Sequence, residues 1–531
     1  MKRTTLSLAA GAVALAALTG FASLAAPSGS TDTGAKSPAR LPVERSSLLC
    51  PAPSNSDLAQ TTYTAFTPKG TSQGAAQGKP GTAVLSPAVP PPADTGAPSP
   101  SASTDKAKDD KAKDGKGKDG KDKKPADKPA SDKPVITLKE PGKPAAATAN
   151  GADAPALTGS ADGLLAPGWA AQQTTQITGG AGRALLGTSC TAPDADFWFP
   201  GASTAKDRQD YVHLTNPDDT AAVADIELFG KDGVIKADIG EGITIPAKSS
   251  VPVLLSTLTG TVADDLTVHV STRAGRVGAV VQATDAKAGA DWLPASADAA
   301  ASQVLPGIPG DATDVRLIVH AKGADDADLK VKLMGKGGSF TPAGLDTVHV
   351  KSGMTASFDL KNVTRGEAGS LLLTPVSDGG TPVVAALRVA RGTGDKQEIA
   401  FIPATNPVGT RSTVTDNRDK AATLALTAPG TKDATVKITS SAGTEGGEPQ
   451  SKTYTVKAGA TLAVDPPVPA GLKGSYAVTV EPDPNGGPVY ASRTLAITQD
   501  GVPMFTVQTL ADDKGTVAVP AASQDLSVLE R

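Results

Sequence analysis

Aromatic residues, cysteines and histidines are all scarce in this chain. Phe, Trp and Tyr make up 3% of its 531 residues, and there are two cysteines and four histidines. Basic and acidic residues nearly balance, which gives a formal net charge of -4 at pH 7. So small a charge creates no global field that would attract nucleic acid, and we expect no nucleic-acid partner. The length predicts several domains with small cores rather than one large core.

The usual signals of enzyme chemistry are also missing. There is no His-Glu-x-x-His motif and no glycine-rich phosphate loop that opens a helix. No helical period follows the N-terminal segment, so the sequence predicts no strand-to-helix turn for a nucleophilic serine. Each histidine lies in an alternating strand pattern: His213, His269, His320 and His349. Because His213 and His320 occupy comparable places in two repeats, we interpret them as structural. We expect no catalytic residue, metal or cofactor.

Long hydrophobic runs are confined to the N-terminus. Lys2 and Arg3 precede an uncharged stretch, residues 4–30, of which residues 6–26 are largely apolar. Small residues near Ala26 suit cleavage, so residues 1–26 are predicted to be an export signal. The run also has about 20 residues, enough to span a bilayer as an N-terminal membrane anchor. Both outcomes place residues 27–531, which begin with a polar spacer (residues 27–45), outside the cytoplasm.

Cys50 and Cys190 are predicted to form a disulfide, as expected for an exported chain. It would close a loop of about 140 residues, a constraint of about 4–5 kcal/mol in the loop-entropy model.

Residues 90–134, between the cysteines, are mostly Pro, Ala, Ser, Lys and Asp. Eleven Lys and eight Asp lie between Asp105 and Lys133. Such a segment cannot bury enough apolar surface to offset its ordering entropy, so we predict a long disordered insertion. The interleaved Lys residues disfavour a calcium loop. A solvated spacer, able to reach through cell-wall polymer, is the simplest interpretation.

The remaining chain shows period-two patterning that is broken every 8–12 residues by turn residues, which is typical of antiparallel sandwiches. Three equivalent strand residues, Ile245, Val350 and Val456, are 105 and 106 positions apart. The pattern predicts an all-β chain of tandem immunoglobulin-like β-sandwich modules. The alternative is a β-propeller, because two four-stranded blades occupy a similar length. The predicted modules are residues 46–200 (diverged, and interrupted by the insertion), 201–310, 311–408 and 409–531.

Several short motifs resemble the DUF5719 family of actinobacterial secreted proteins. They are SSLLCP at 46–51, GTSC at 187–190, DFWFP at 196–200, HLTNP at 213–217 and DWLP at 291–294. The resemblance implies an actinobacterial envelope or secreted protein. The family has no assigned function, so the resemblance supplies no catalytic residue.

The aromatic residues Phe197, Trp198, Phe199 and Trp292 are the best candidates for binding. Three contiguous rings cannot all face one core, so at least one is expected to point outward or between modules. They would either pack between modules or offer a surface for stacking a glycan or protein partner. We expect a non-enzymatic envelope or secreted protein that acts in adhesion, scaffolding or protein binding. Its partner would be an envelope protein or a cell-wall glycan. A carbohydrate-binding accessory protein and a hydrolase with an unrecognised site are the alternatives.

Overall fold

The computed structural model describes residues 39–70, 80–88, 133–180 and 182–519. The predicted export segment and almost all of the predicted insertion lie outside these residues. Regular structure is almost entirely β-strand, with one helical turn, α1 (Leu255–Leu258), and two 3₁₀ turns, Gly163–Leu165 and Gly394–Lys396. Among the helices of the described ranges, none is long and apolar enough to cross a membrane.

The chain divides into two compact units. The smaller unit includes most of a two-stranded sheet, in which β1 (Ala39–Pro42) pairs with the last strand of the chain, Thr516–Val519. The larger unit, residues 42–516, contains four β-sandwiches, which we number one to four along the chain.

Sandwich one has eight strands. They are β2 (Arg45–Cys50), β3 (Ala59–Phe66), β4 (Ala83–Pro87), β5 (Ile136–Leu138), β6 (Ala145–Asn150), β7 (Leu157–Asp162), β8 (Ala170–Ile177) and β9 (Ala184–Ser189). One sheet has the order β2-β7-β4-β5 and the other the order β6-β3-β8-β9. The predicted insertion falls between β4 and β5, which are neighbours in an antiparallel hairpin.

Sandwich two has nine strands. They are β10 (Asp196–Ala202), β11 (Arg208–Thr215), β12 (Ala222–Gly230), β13 (Gly233–Ile235), β14 (Ile243–Ile245), β15 (Ser250–Leu254), β16 (Leu266–Ala274), β17 (Gly278–Asp285) and β18 (Gly289–Leu293). The sheets are β10-β16-β12-β13, with β14 also on β12, and β15-β11-β17-β18.

Sandwich three repeats this arrangement strand for strand. Its strands are β19 (Gln303–Ile308), β20 (Ala312–Ala321), β21 (Ala327–Gly335), β22 (Gly338–Phe340), β23 (Thr347–Val350), β24 (Thr355–Asp359), β25 (Gly369–Pro375), β26 (Val383–Arg391) and β27 (Glu398–Pro403). The sheets are β19-β25-β21-β22, with β23 on β21, and β24-β20-β26-β27.

Sandwich four adds one short strand. Its strands are β28 (Ser412–Asn417), β29 (Ala422–Ala428), β30 (Ala434–Gly443), β31 (Gly446–Glu448), β32 (Gln450–Val456), β33 (Ala460–Val464), β34 (Ala470–Lys473), β35 (Tyr476–Pro482), β36 (Tyr490–Gln499) and β37 (Val502–Leu510), and β38 (Thr516–Val519) ends the described chain. The sheets are β28-β35-β30-β31-β34, with β32 on β30, and β33-β29-β36-β37.

The repeat period read from the sequence matches the strand register. Each of the three spaced residues lies opposite the first residue of the third strand of its sandwich: Ile245 with Ala222, Val350 with Ala327, and Val456 with Ala434. The prediction of an all-β fold built from tandem sandwiches is therefore confirmed.

Two strands belong to a different sandwich from the one predicted. β10 pairs with β16, so residues 196–200 open sandwich two instead of closing the first module. Likewise β19 pairs with β25 and opens sandwich three, although it falls within the predicted range 201–310. The motif ending in Trp198-Phe199-Pro200 resembles Trp292-Leu293-Pro294, but the first lies in an opening strand and the second closes a sandwich.

The four sandwiches close into a ring. We call the sheets that contain β9, β18, β27 and β37 the axial sheets, and these four closing strands the axial strands. β10 packs on the axial sheet of sandwich three, β19 on that of sandwich four, and β28 on that of sandwich one. β2 completes the circle, because Leu49 touches Gly278 and the carbonyl of Pro53 accepts a hydrogen bond of 3.1 Å from Gln282 Nε2. The β-propeller alternative also implied a closed ring. In this protein, however, each repeat of the ring is a two-sheet sandwich.

The opening strands bend where they pass between two axial sheets. The pairing register shifts at Gly201 in β10 and at Gly307 in β19, and both glycines have positive φ angles, 110° and 87°. A side chain at Gly307 would also meet Ser492 of the next sandwich. Glycine therefore allows both the bulge and the close approach there.

The predicted disulfide is present. Cys50 in β2 bonds Cys190, just after β9, so it links the two sheets of sandwich one across a sequence separation of 140. Structural disulfides persist in oxidising compartments, so this bond indicates a location outside the cytosol.

Candidate functional site

The four axial strands contact one another in the cyclic order β9, β18, β27, β37. Each pairs with only one strand of its own sheet, so each has a free edge. Free edges would be aggregation-prone in water, but here they face one another and their residues are buried. Large side chains fill the gaps between sandwiches: Leu185, Trp292, Phe401 and Phe505 are all fully buried.

A carboxyl group lies inside this axis. Asp291 of β18 is 0% exposed, and its Oδ1 accepts hydrogen bonds from the Gly187 backbone N–H (3.1 Å) and the Thr506 hydroxyl (3.0 Å). Those partners belong to sandwiches one and four. Burial raises the pKa of Asp291 well above its ordinary value, and the nearby Glu398 raises it further. Asp291 therefore links three sandwiches, and burial favours its uncharged form.

Glu398, the first residue of β27, is a second buried acid at the axis. Neither carboxyl oxygen has a hydrogen-bond partner among the described residues, and the nearest cation is Arg183, with Nε 4.0 Å from Oε1. Burial raises the pKa of Glu398 to about 8, against the opposing effect of Arg183. Because it is enclosed by the packed strands, Glu398 has no surface on which to meet a substrate.

At the other end of the axial strands there is a partly enclosed cavity of about 250 Å³. All four sandwiches contribute to its wall, among them Thr188 and Ser189 at the end of β9, Pro294 after β18, Ala404 after β27, and Thr509 of β37. The cavity therefore exists only because the ring is closed. We call it the axial cavity.

Two buried polar side chains in the axial cavity wall have unpaired atoms. His213 is 7% exposed; the Gln282 side chain is a hydrogen-bond partner of its ring, which leaves one ring nitrogen without a partner among the described residues. Its ring stands edge-on against Trp292, with ring centroids 5.2 Å apart. Gln508 is 2% exposed; its Nε2 donates to the Thr506 hydroxyl at 2.8 Å, while its Oε1 has no partner among the described residues.

The rest of the axial cavity wall is neutral. The hydroxyl groups of Thr215, Ser296 and Thr405 and the amide of Asn406 lie beside alanine and proline side chains. Desolvation lowers the pKa of His213 to about 4, so its ring is uncharged at neutral pH. None of the described residues that line the cavity carries a charge at neutral pH.

The three contiguous aromatic residues divide between two environments. Phe197 and Phe199 point into the core of sandwich two. Trp198 points the other way, stacks on His269 with ring centroids 4.0 Å apart, and lies 5.2 Å from His320 of sandwich three. At 7% exposure Trp198 presents no ring face for a glycan to stack on. Its place is between sandwiches two and three.

Trp292 is likewise buried, at 1% exposure. It packs with Ala59, Ile177, Ala184 and Leu186 of sandwich one. Trp292 therefore fills the space between sandwiches one and two, and reaches the axial cavity only through the His213 ring that it supports.

His213 and His320 are not equivalent, contrary to the prediction. Thr215 lies opposite Ser250, the first residue of β15, whereas His320 lies opposite Thr355, the first residue of β24. His320 thus matches Thr215, two residues beyond His213. The remaining histidines are held by carboxylates, His269 Nδ1 by Glu227 at 2.8 Å and His349 Nδ1 by Asp328 at 2.9 Å. The described residues contain no cluster of three or more His, Cys, Asp or Glu suited to a metal.

Sequence reasoning missed the axial cavity because its wall comes from four distant segments. One signal was present in the sequence: Glu398–Pro403 is apolar after its first residue, and Val383–Arg391 is apolar almost throughout. Such runs are typical of strands covered on both faces.

No curated protein matches the chain significantly. A family model does match it over residues 145–467, which span parts of sandwiches one and four and all of sandwiches two and three. These residues include the Asp291 tie, His213 and Trp292. The chain therefore belongs to the family described as "Family of unknown function (DUF5719)".

Proposed function

We propose that this chain is an exported, non-enzymatic scaffold or binding protein of an actinobacterial cell envelope. The observation that supports it best is the closed ring, in which every sandwich packs on two others through buried side chains. A ring with packed interfaces moves little internally and holds its surface loops in fixed relative positions. Such a body suits presentation of loops to a partner.

The location of the buried acids favours a binding role over hydrolysis. Asp291 and Glu398 are both 0% exposed and lie among packed strands. A general acid and base must reach the bond that they act on. In our proposal these carboxyl groups stabilise the ring, and the partner is an envelope protein or a cell-wall glycan.

Export is tested by the intact mass of the native protein from cytoplasmic, membrane, wall and culture fractions, with and without reductant. We expect an extracytoplasmic form that gains the mass of two hydrogen atoms on reduction. A chain starting near Ala26 would be released from the membrane, and a chain that retains Met1 in the membrane fraction would be anchored. Full-length reduced protein confined to the cytoplasm would contradict the proposal.

The scaffold role is tested by photo-crosslinking in intact cells, with the crosslinker at exposed loop residues such as Lys231 or, as a matched control, at the buried Leu228. We expect a discrete crosslinked partner from the loop site and none from the buried site. Turnover by the purified chain in a broad hydrolase panel would argue for an enzyme instead.

A further inference from the structure

We propose that the axial cavity binds one neutral sugar residue, either as a free monosaccharide or as the end of an uncharged glycan. The inference goes beyond the scaffold role and does not depend on where the protein is located. It comes from the size of the cavity, the chemistry of its wall, and the two buried side chains with unpaired atoms.

The size of the cavity limits the ligand. Pockets for drug-sized ligands are roughly 300–1,000 Å³. At about 250 Å³ the axial cavity is slightly smaller and accommodates a single ring rather than a chain. A longer glycan would therefore place only its terminal residue inside.

The polar atoms of the wall require a hydrogen-bonding ligand. A buried polar atom without a partner is unfavourable by about 1–3 kcal/mol. His213 has one such ring nitrogen, since Gln282 is the partner of the other, and Gln508 has one such atom. A purely aliphatic ligand would leave both unpaired. A hydroxyl group both donates and accepts, so it can pair with the free ring nitrogen of His213 and with Gln508 Oε1.

The absence of charge in the wall excludes acids and amines. A buried ion needs a counter-charge or dense hydrogen bonding. The described wall residues offer neither an opposite charge nor a metal ligand set. A carboxylate, phosphate or ammonium group would lose its hydration without replacement, whereas an uncharged sugar would not.

The wall also has apolar surfaces, as a sugar ring requires. The wall includes Pro51, Pro294 and the alanines at 295, 404 and 511 as well as the hydroxyl-bearing residues. The C–H faces of a pyranose can lie on these methyl and pyrrolidine groups while its hydroxyl groups meet the polar side chains. This division of polar and apolar contacts is general for small-molecule sites.

The test is titration of the full-length protein with neutral monosaccharides, followed by nitrogen-15 NMR of the histidine rings. With four histidines in the chain, the spectrum is simple to assign. We expect one or more neutral sugars to shift the His213 signals alone. Matched uronic acids and amino sugars should not shift them. Neutral oligosaccharides that end in the same sugar identify the source of the ligand. If they bind more tightly than the monosaccharide, the ligand is the end of a glycan. If they do not bind, the ligand is a free monosaccharide.

Three variants make the result specific to the cavity. Ala511 is exposed at the rim, so A511W should block entry without disturbing the core and abolish the shift. His213→Leu should weaken binding about tenfold, the equivalent of one or two hydrogen bonds, while His213→Gln restores part of it. Thermal unfolding of each variant shows that the ring is intact.

Failure of all neutral sugars to bind would overturn the proposal, as would binding that survives both A511W and His213→Leu. Either result would leave the scaffold role standing, because that role is judged by crosslinking at the outer loops.

Discussion

Asp291 joins three sandwiches through a single oxygen atom. Its Oδ1 accepts from Gly187 in sandwich one and Thr506 in sandwich four, while its backbone belongs to sandwich two. The axial strands approach so closely here that a Cβ on Gly187 would lie 2.6 Å from Gln508 Nε2.

Two substitutions at Asp291 distinguish the contribution of its hydrogen bonds to stability from the contribution of its charge. Asp291→Ala leaves the Gly187 N–H and the Thr506 hydroxyl without their acceptor, and should lower the free energy of unfolding by about 1–3 kcal/mol. Asp291→Asn retains an acceptor oxygen and, since burial raises the pKa of Asp291 and so favours an uncharged side chain, should change stability much less. Denaturant unfolding near neutral pH measures both. Equal losses in the two variants would show that the charge matters.

Glu398 should make the ring less stable at higher pH. Its pKa is about 8 in the folded chain and has an ordinary value of 4.5. Between these values the unfolded chain has released the proton that the folded chain retains, so the unfolding free energy falls as pH rises from about 4.5 to about 8. At lower pH both states are protonated, and this effect vanishes.

Glu398→Gln removes the titrating proton while keeping the shape. Relative to the wild type, the variant should gain stability progressively between about pH 5 and about pH 8. Thermal unfolding of both proteins across this range is the measurement. A constant difference between the two curves would mean that Glu398 titrates at its ordinary pKa.

At the scale of the elements, the opening strands link neighbouring sandwiches. β10 sends Phe197 and Phe199 into its own core and Trp198 against sandwich three, as strand alternation requires. The sequence pattern therefore predicted the split of the three rings, but not which sandwich the strand belongs to. That assignment depends on pairing with β16, about 70 residues downstream, which local patterns do not encode.

Trp198→Ala should destabilise the interface between sandwiches two and three. Removing a buried indole lowers stability by about 3–5 kcal/mol. Trp198→Phe keeps an aromatic ring on His269, and the indole N–H that it removes has no partner among the described residues, so it should lose far less. Denaturant unfolding of the two variants gives the comparison. No loss in either would place Trp198 outside the packed interface.

The insertion point in sandwich one is a hairpin turn in the other sandwiches. β12 and β13 are joined by Lys231 and Asp232 alone, whereas β4 and β5 are separated by residues 88–135. We expect a variant with residues 90–132 replaced by a few Gly and Ser residues to fold, and to gain about 1–2 kcal/mol from the shorter loop. Thermal unfolding tests this. A large loss would mean that the segment contributes contacts to the fold.

At the scale of the whole molecule, period-two patterning sufficed to predict the sandwiches and the repeat length, and the two cysteines of a chain with an export signal predicted the disulfide. The sequence patterns did not predict ring closure, because closure depends on the outer faces of the axial sheets. Residues such as Ala386 and Ala390 are small and apolar on the face away from their own core, where they pack on sandwich two. The cavity was equally hidden, since His213 and Gln508 are almost 300 residues apart.

The decisive contact is the one that joins the last sandwich to the first. There Thr64 Oγ1 lies 2.6 Å from Thr415 Oγ1, and Gln176 Nε2 donates to Gln499 Oε1 at 2.6 Å. A small apolar cluster of Leu185, Leu495, Val502 and Met504 adds to it. Because no short stretch of chain connects these sandwiches, their contact reports closure directly.

The most direct test is therefore a disulfide between cysteines introduced at Thr64 and Thr415, detected by peptide mapping of the oxidised protein. Ser370 and Thr427, whose hydroxyl oxygens are 2.7 Å apart between sandwiches three and four, give a matched positive pair, and Thr64 with Thr427 gives a negative pair. A closed ring predicts crosslinking in the Thr64–Thr415 and Ser370–Thr427 pairs only. If the Ser370–Thr427 pair forms while the Thr64–Thr415 pair does not, the sandwiches form an open chain, and both the ring and its axial cavity must be abandoned.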